Sequence, residues 1–377
     1  MDSSVEVQAE QLGQSGDARR LWLAAAEVMD VRSVRLVDKG LTTLVGRPTP
    51  SGEPAIELRG RFLIEPDKVF DQLEGRFHDL GYVLLLRKEG EDQIALGIPG
   101  ELPKSAGRPW VAVGMFALTV LSTLWVGSGY SEDPNNLLAG WPFAVSLLGI
   151  LLAHEMGHYV VARWQKVPAT LPYFIPFPTL LGTMGAVIQI KAPPRNRRSL
   201  LLLGAAGPLA GLVVAIPVLL LGLSQSTVGF IPPGPAYFQE GNSLLYAAMK
   251  FLVFGRFLPS NGMDVMIGPV AFAGWAGLLV TGMNLIPAGQ LDGGHVVYSL
   301  LGKRARWLTW AVVGGLAALS FLWQGWILWV ALVLLLGRVH SVPLDDVTEL
   351  TARQKLLAVA CMVIFVLVFI PIPITFG

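Results

Sequence analysis

Several stretches of this 377-residue chain run for about 20 residues with few or no charges, the length that crosses the hydrocarbon core of a bilayer. No other feature limits the fold as much. Backbone amides and carbonyls in lipid must be satisfied inside helices or closed barrels. The runs lie near 109–128, 138–164, 199–223, 267–288, 305–321, 324–338 and 355–372. Charged residues make up 15% of the chain, against roughly 25% in a soluble domain. The fifth and sixth runs are separated only by Leu322-Trp323-Gln324-Gly325, which predicts a helical hairpin. Residues 293–301 are too short to span and read as a half-helix, and 244–258 as an interfacial or partly inserted helix. Trp110, Trp125, Trp323, Trp326 and Trp329 fall near run ends, as an aromatic belt does.

Most of the 27 acidic residues precede residue 106, and there the pattern changes. Residues 17–29 have helical composition, and Val31 to Val37 and Ile56 to Ile64 alternate as strands do. Pro66 opens a helix through Leu80 with Val69, Phe70, Leu73 and Phe77 on one face. Tyr82 to Leu86 and Gln93 to Leu96 follow as strands around a Lys88–Asp92 turn. The expectation is a small soluble α+β domain over 1–105, with a ragged first dozen residues and His78 at its surface, and a membrane domain over 106–377. The acidic, polar N-terminus lacks the layout of a signal or transit peptide. Net charge is +1 with no basic run, so nucleic acid is not an expected partner. The single cysteine, Cys361, excludes a disulfide framework and reads as apolar packing.

In the membrane part, Glu155 and Asp292 are the carboxylates that stand inside or directly against apolar segments, where an ionisable group is costly and usually functional. Glu155 belongs to His154-Glu155-Met156-Gly157-His158, at the end of the charge-free run beginning at Leu137. On a helix His154 and His158 project from one face, the spacing two nitrogen ligands need to share a zinc ion. Glu155 beside them suits a general base acting on water activated by the metal. An open catalytic site usually has three protein ligands, and Asp292 is the candidate for the third. It follows Pro287 and Gly289, which break the helix, and precedes Gly293-Gly294. Irregular backbone at that depth predicts a lined cavity. Asn284 reads either as a donor to a substrate carbonyl or oxyanion, or as a helix cap or interhelical tie. His295 reads as a support for the site or a helix-start histidine, and His340 as a solvated loop residue. Gly207-xxx-Gly211 and Ala206-xxx-Ala210 read as close helix packing.

The pair HEMGH (154–158, within 138–164) and NLIPAGQLDGG (284–294, within 267–294) resembles the site-2 protease family of intramembrane metalloproteases. The likeness extends to Gly182–Lys191 and Gly204–Gly211. The soluble leader and the LDGG variant look most like the plastid and prokaryotic branch of the ethylene-dependent gravitropism-deficient and yellow-green proteins. The PDZ domain found in the family is not expected here. The resemblance implies a zinc metalloendopeptidase that cuts transmembrane substrates near the cytoplasmic face, in regulated intramembrane proteolysis. One zinc ion would be held by His154, His158 and Asp292, with Glu155 as base.

These readings predict a multi-span α-helical membrane protein of about six to eight spanning segments, with a short membrane-associated β strand or hairpin. Met184, Ala186, Ile188 and Ile190 alternate against Gly185, Val187 and Gln189, so Gly182 to Ile190 is expected as an edge strand that grips an unwound substrate. Gly185 and Ile188 are its candidate binding residues. Pro172 to Pro178, with Phe174 and Phe177, reads as a re-entrant loop or an interfacial loop. Arginines and lysines between the runs place the N-terminal domain and loops 165–198, 293–306 and 339–353 in the cytoplasm of what is expected to be a prokaryotic cell membrane. Expected partners are the lipid bilayer, a transmembrane substrate, and a regulator or second copy contacting residues 1–105. The alternative functions are a metal-binding membrane transporter and a catalytically silent scaffold.

Overall fold

The computed structural model describes residues 16–37, 54–102, 107–231, 238–336 and 342–376. His340 and the first dozen residues lie outside that set. Two compact units emerge: Met1–Ser105 with Lys191–Leu200 and Ser341–Thr351, and the remainder of the chain.

In the first unit, α1 (Gly16–Ala26), β1 (Met29–Val37), β2 (Ala55–Phe62), α2 (Pro66–Asp79), β3 (Tyr82–Glu89) and β4 (Asp92–Pro99) follow one another. The strands form an antiparallel sheet of order β1-β2-β4-β3. Pro66 sits in the first turn of α2, where a missing N–H costs nothing. The α2 stripe of Val69, Phe70, Leu73 and Phe77 is fully buried against Leu21, Ile56, Leu58 and Leu86. Two segments that the sequence assigns to the membrane part join this sheet. The Leu86 N–H donates to the Leu344 carbonyl at 2.9 Å, and the Leu344 N–H donates to the Pro194 carbonyl at 3.0 Å. They satisfy the edge that β3 would otherwise leave open.

The second unit holds α3 (Pro109–Ser128), α4 (Trp141–Trp164), β5 (Tyr173–Pro176), β6 (Thr183–Val187) and most of α5 (Arg197–Ser224). Next come β7 (Thr227–Phe230), β8 (Phe238–Glu240), α6 (Leu244–Phe254), β9 (Met263–Met266) and α7 (Pro269–Asn284). The chain closes with α8 (Asp292–Leu301), α9 (Ala305–Leu319), α10 (Gly325–Leu336), α11 (Ala352–Val368) and β10 (Ile374–Phe376). Three apolar helices have the length to cross a bilayer: Pro109–Ser128, Leu137–Trp164 and Arg197–Ser224. The chain is therefore an integral membrane protein. Among the described residues the count of six to eight spans is not confirmed on length: α7 has 16 residues, α9 15, the described part of α10 12 and α11 17. A 16-residue helix rises only about 24 Å against a core of about 30 Å. In α7 the shortfall has a cause in the sequence, since Pro287 and Gly289 stop the helix inside its apolar run.

The core of this unit is built by α4, α5 and α7: Phe143, Leu147, Ile150, Leu212, Ala215, Leu219, Trp275 and Leu278 are all buried. Small residues bring backbones together. A Cβ on Gly274 would lie 2.7 Å from Leu219 Cα, and one on Gly222 would lie 2.4 Å from Ala271 Cα. As predicted, α9 and α10 pair as a hairpin. Trp326 departs from the expected belt: it is fully buried, and its indole N–H donates to the Pro371 carbonyl at 2.7 Å. Cys361 is buried, as a packing residue should be.

Toward the Ser224 end of α5, β7 pairs with β9 and β8 with β10. Lys250, on α6, is fully buried between Glu240 (3.2 Å) and Asp264 (3.0 Å). The Tyr246 hydroxyl donates to Glu240 at 2.9 Å, and the Gln239 amide donates to Asp264 at 2.9 Å. Each buried charge is thereby paired and hydrogen-bonded, the condition under which burial is tolerated. Glu240 and Asp264 also line a cavity of about 350 Å³.

Candidate metal centre

The HEMGH residues fall in the later turns of α4, where Phe143, Leu147 and Ile150 bury the preceding face. His154 and Glu155 are buried, at 3% and 7% exposure. Past Asn284 the chain leaves α7, passes Pro287 and Gly289, and re-enters a helix at Asp292. Gly289 adopts a left-handed φ of +59°, and a Cβ on Gly293 would lie 2.0 Å from the Leu285 carbonyl oxygen. That tight return, open only to glycine, carries the Asp292 carboxylate to the histidines.

His154 Nε2 and His158 Nε2 are 3.3 Å apart. Asp292 Oδ2 lies 3.3 Å from the first and 3.2 Å from the second. His158 Nδ1 sits 2.8 Å from the Leu203 carbonyl oxygen. A carbonyl only accepts, so Nδ1 carries the proton and Nε2 presents a bare lone pair. Tetrahedral ligands at about 2.0–2.1 Å from zinc are about 3.3–3.4 Å apart, and all three edges of this donor triangle match that spacing. Two imidazoles and one carboxylate therefore fit zinc with a fourth position left for water. Among the described residues this is the one such group of metal-ligating side chains.

Glu155, Ala186, Val187, Ile188, Asn284 and His295 line a cleft of about 210 Å³ together with the three donors. The larger cavity beside Glu240 and Asp264 has its carboxylates already engaged by Lys250. The Asn284 amide nitrogen, at the end of α7, lies 3.3 Å from His154 Nε2. The expected strand is shorter than the sequence suggests. β6 covers Thr183–Val187, pairing Val187 with Tyr173 and Ala186 with Phe174. Gly185 lies inside it with φ +98°, a conformation suited to glycine. Ile188 lies just past the ladder and packs beside Ala162, Val167, Ala169 and Leu203. Phe174, from the expected loop, is buried edge-on to Phe116 with ring centres 4.9 Å apart, whereas Phe177 is exposed.

The sequence reading missed the role of α5. Gly207 and Gly211, read there as packing residues, face the two histidines: a Cβ at Gly207 would lie 2.0 Å from His158 Nε2, and one at Gly211 3.3 Å from His154 Cβ. Ala206 and Ala210, from the second pair, pack on Gly157.

These features define the class: an integral membrane protein with an HExxH-type metal centre completed by a distant aspartate. Residues 142–321 match the model of peptidase family M50. The probable chloroplastic zinc metalloprotease EGY2 of Arabidopsis thaliana is 30% identical over 342 residues, covering 85% of this chain and 60% of the relative. The probable chloroplastic zinc metalloprotease EGY1 of the same plant is 32% identical over 326 residues, covering 76% and 56%. The EGY2 of Oryza sativa subsp. japonica is 30% identical over 342 residues, covering 85% and 61%. The chain is thus similar to peptidase family M50 over residues 142–321 and to these zinc metalloproteases over most of its own length. It spans about three-fifths of the length of the relatives it matches first. No solved structure matches it.

Proposed function

We propose that the chain is an intramembrane zinc metalloendopeptidase that hydrolyses peptide bonds in transmembrane proteins. The observation that carries this reading is the donor triangle of His154, His158 and Asp292, with buried Glu155 beside it on an apolar helix. When bound there, zinc would polarise a carbonyl and acidify a water in its open position. Glu155 takes the proton from the attacking water and returns it to the leaving amine as the C–N bond breaks. The Asn284 amide donates to the carbonyl oxygen as negative charge collects on it. The Leu203 carbonyl holds His158 in the tautomer that leaves Nε2 free.

A substrate helix must unwind before its carbonyls are accessible. The β6 segment supplies a place for the unwound chain: Ala186, Val187 and Ile188 line the cleft, and β6 pairs with β5 alone among the described strands. Cleavage is placed near the cytoplasmic face, with the first unit in the cytoplasm. Support for that orientation comes from Arg163 in the last turn of α4 with Lys166 and Lys191 after it, and from Lys303, Arg304 and Arg306 between α8 and the first turn of α9. Lys250, buried and paired, does not count in that balance. A transport reading would want further polar groups along a crossing path, and the relatives' names do not favour it.

The test is cleavage of a tagged single-span protein by the purified chain in detergent, beside Glu155→Gln. The wild type is expected to cut within the span. Glu155→Gln should lose about 10²–10⁴-fold in rate while retaining zinc. Zinc binding with no cleavage of any test span would overturn the reading.

A further inference from the structure

We propose that Gln290 is a substrate-binding residue whose side-chain amide hydrogen-bonds the main chain of an unwound substrate, across the metal cleft from β6. This rests on the zinc protease reading above. Every residue involved belongs to the second unit.

Between α7 and α8 the chain runs Leu285-Ile286-Pro287-Ala288-Gly289-Gln290-Leu291, and burial changes abruptly within it. Residues 285–289 are all buried, whereas Gln290 is exposed. It nevertheless lines the metal cleft, beside Leu291 and Asp292. The ordinary structural uses of a polar side chain at such a place are not made of it. The N-cap of α8 is Leu291, with no side-chain hydrogen bond, so Gln290 does not cap that helix. Among the described residues none hydrogen-bonds its amide. The main chain on either side is fixed. The Ala288 N–H donates to the Ile286 carbonyl at 2.7 Å, and the Leu291 N–H donates to the Ala288 carbonyl at 3.3 Å. A Cβ on Gly294 would lie 2.3 Å from the Gly289 carbonyl oxygen, so the first turn of α8 presses on this turn. An amide held on a fixed turn loses little more than its own rotamers on binding.

The chemistry of that amide suits a peptide backbone. It carries one carbonyl acceptor and two N–H donors, so it can take a main-chain N–H and return an N–H to a main-chain carbonyl. A substrate segment that pairs with β6 by one edge leaves the N–H and carbonyl groups of its other edge unmet. Leaving them so in an apolar cleft is costly. Of the side chains on the α7–α8 turn that line the cleft, Leu291 is apolar and Asn284 is engaged at the scissile carbonyl. Gln290 is the remaining group able to meet that edge. Such a contact holds an unwound segment whatever its side chains, and gives nothing to a helix, whose N–H and carbonyl groups are already paired.

The experiment compares kcat/KM of the purified full chain with that of Gln290→Met, which keeps the side-chain length and removes the amide. Zinc content is measured in both. Gln290→Met should retain its zinc and lose about tenfold in kcat/KM on a tagged single-span substrate. Semisynthetic substrates, each with one amide near the scissile bond replaced by an ester, remove one main-chain N–H at a time. At one position the ester should slow the wild type about tenfold and slow Gln290→Met no further, because both changes delete the same hydrogen bond. Wild-type kcat/KM in Gln290→Met would overturn the proposal, as would losses that multiply at every ester position. A wild-type chain that holds zinc and cuts no test span overturns the protease reading itself, a result seen before any Gln290 variant is compared.

Discussion

A methyl group at Gly207 would sit 2.0 Å from His158 Nε2, well inside contact distance. The helix backbone there cannot yield easily, so the ring must turn and carry its lone pair off the zinc position. Gly207→Ala is therefore expected to purify with well under one zinc per chain. Metal analysis checks this, with Gly149→Ala as control, since nothing lies within 4 Å of a Cβ at Gly149. Lys250→Met makes a second prediction at this scale. It leaves Glu240 and Asp264 buried without their cation, which costs about 3–5 kcal/mol. Thermal unfolding in detergent should fall sharply while zinc content stays unchanged. The two cases also show where the sequence is readable. HEMGH is legible because its spacing is local to one helix turn, and Asp292 because a carboxylate against an apolar run is anomalous. Gly207 reads the same whether a helix backbone or a zinc ligand faces it. The Lys250 partners lie 10 and 14 residues away in sequence, so no local pattern links them.

Among the elements, the apolar helices matched their runs closely where nothing interrupts them: α3 occupies the predicted 109–128. Where breakers fall inside a run, composition overstates the helix, as in α7. β6 was overstated for a different reason. Alternation continues through Ile190, but the ladder with β5 ends at Val187, and Ile188 turns to pack on Leu203 and Val167. The grip on substrate is tested there. Ile188→Pro removes a backbone N–H at the end of the strand and should cut turnover at least about tenfold with zinc retained. Ile188→Val keeps the N–H and most of the packing, and should cleave nearly as well as wild type. Equal turnover in both variants would remove strand pairing from the account.

For the whole molecule, the compact unit of the sheet takes in residues 191–200 and 341–351 beside 1–105. Residues 194–196 and 344–346 carry no strand pattern of their own. They make isolated bridges, Asp345 with Leu86 at the open edge of β3 and Asn196 with Asp345. The three helices long enough to span and the breaks in the shorter ones leave one cleft that brings together a zinc-matched triangle and a buried glutamate. Every functional claim depends on that metal. Zinc-edge X-ray absorption on the purified full-length chain tests it most directly. The account predicts one zinc per chain with two imidazoles and two oxygen donors at about 2.0–2.1 Å, and one fewer imidazole when His158 is replaced by alanine. A zinc shell without imidazole, or a shell unchanged in His158→Ala, would contradict it.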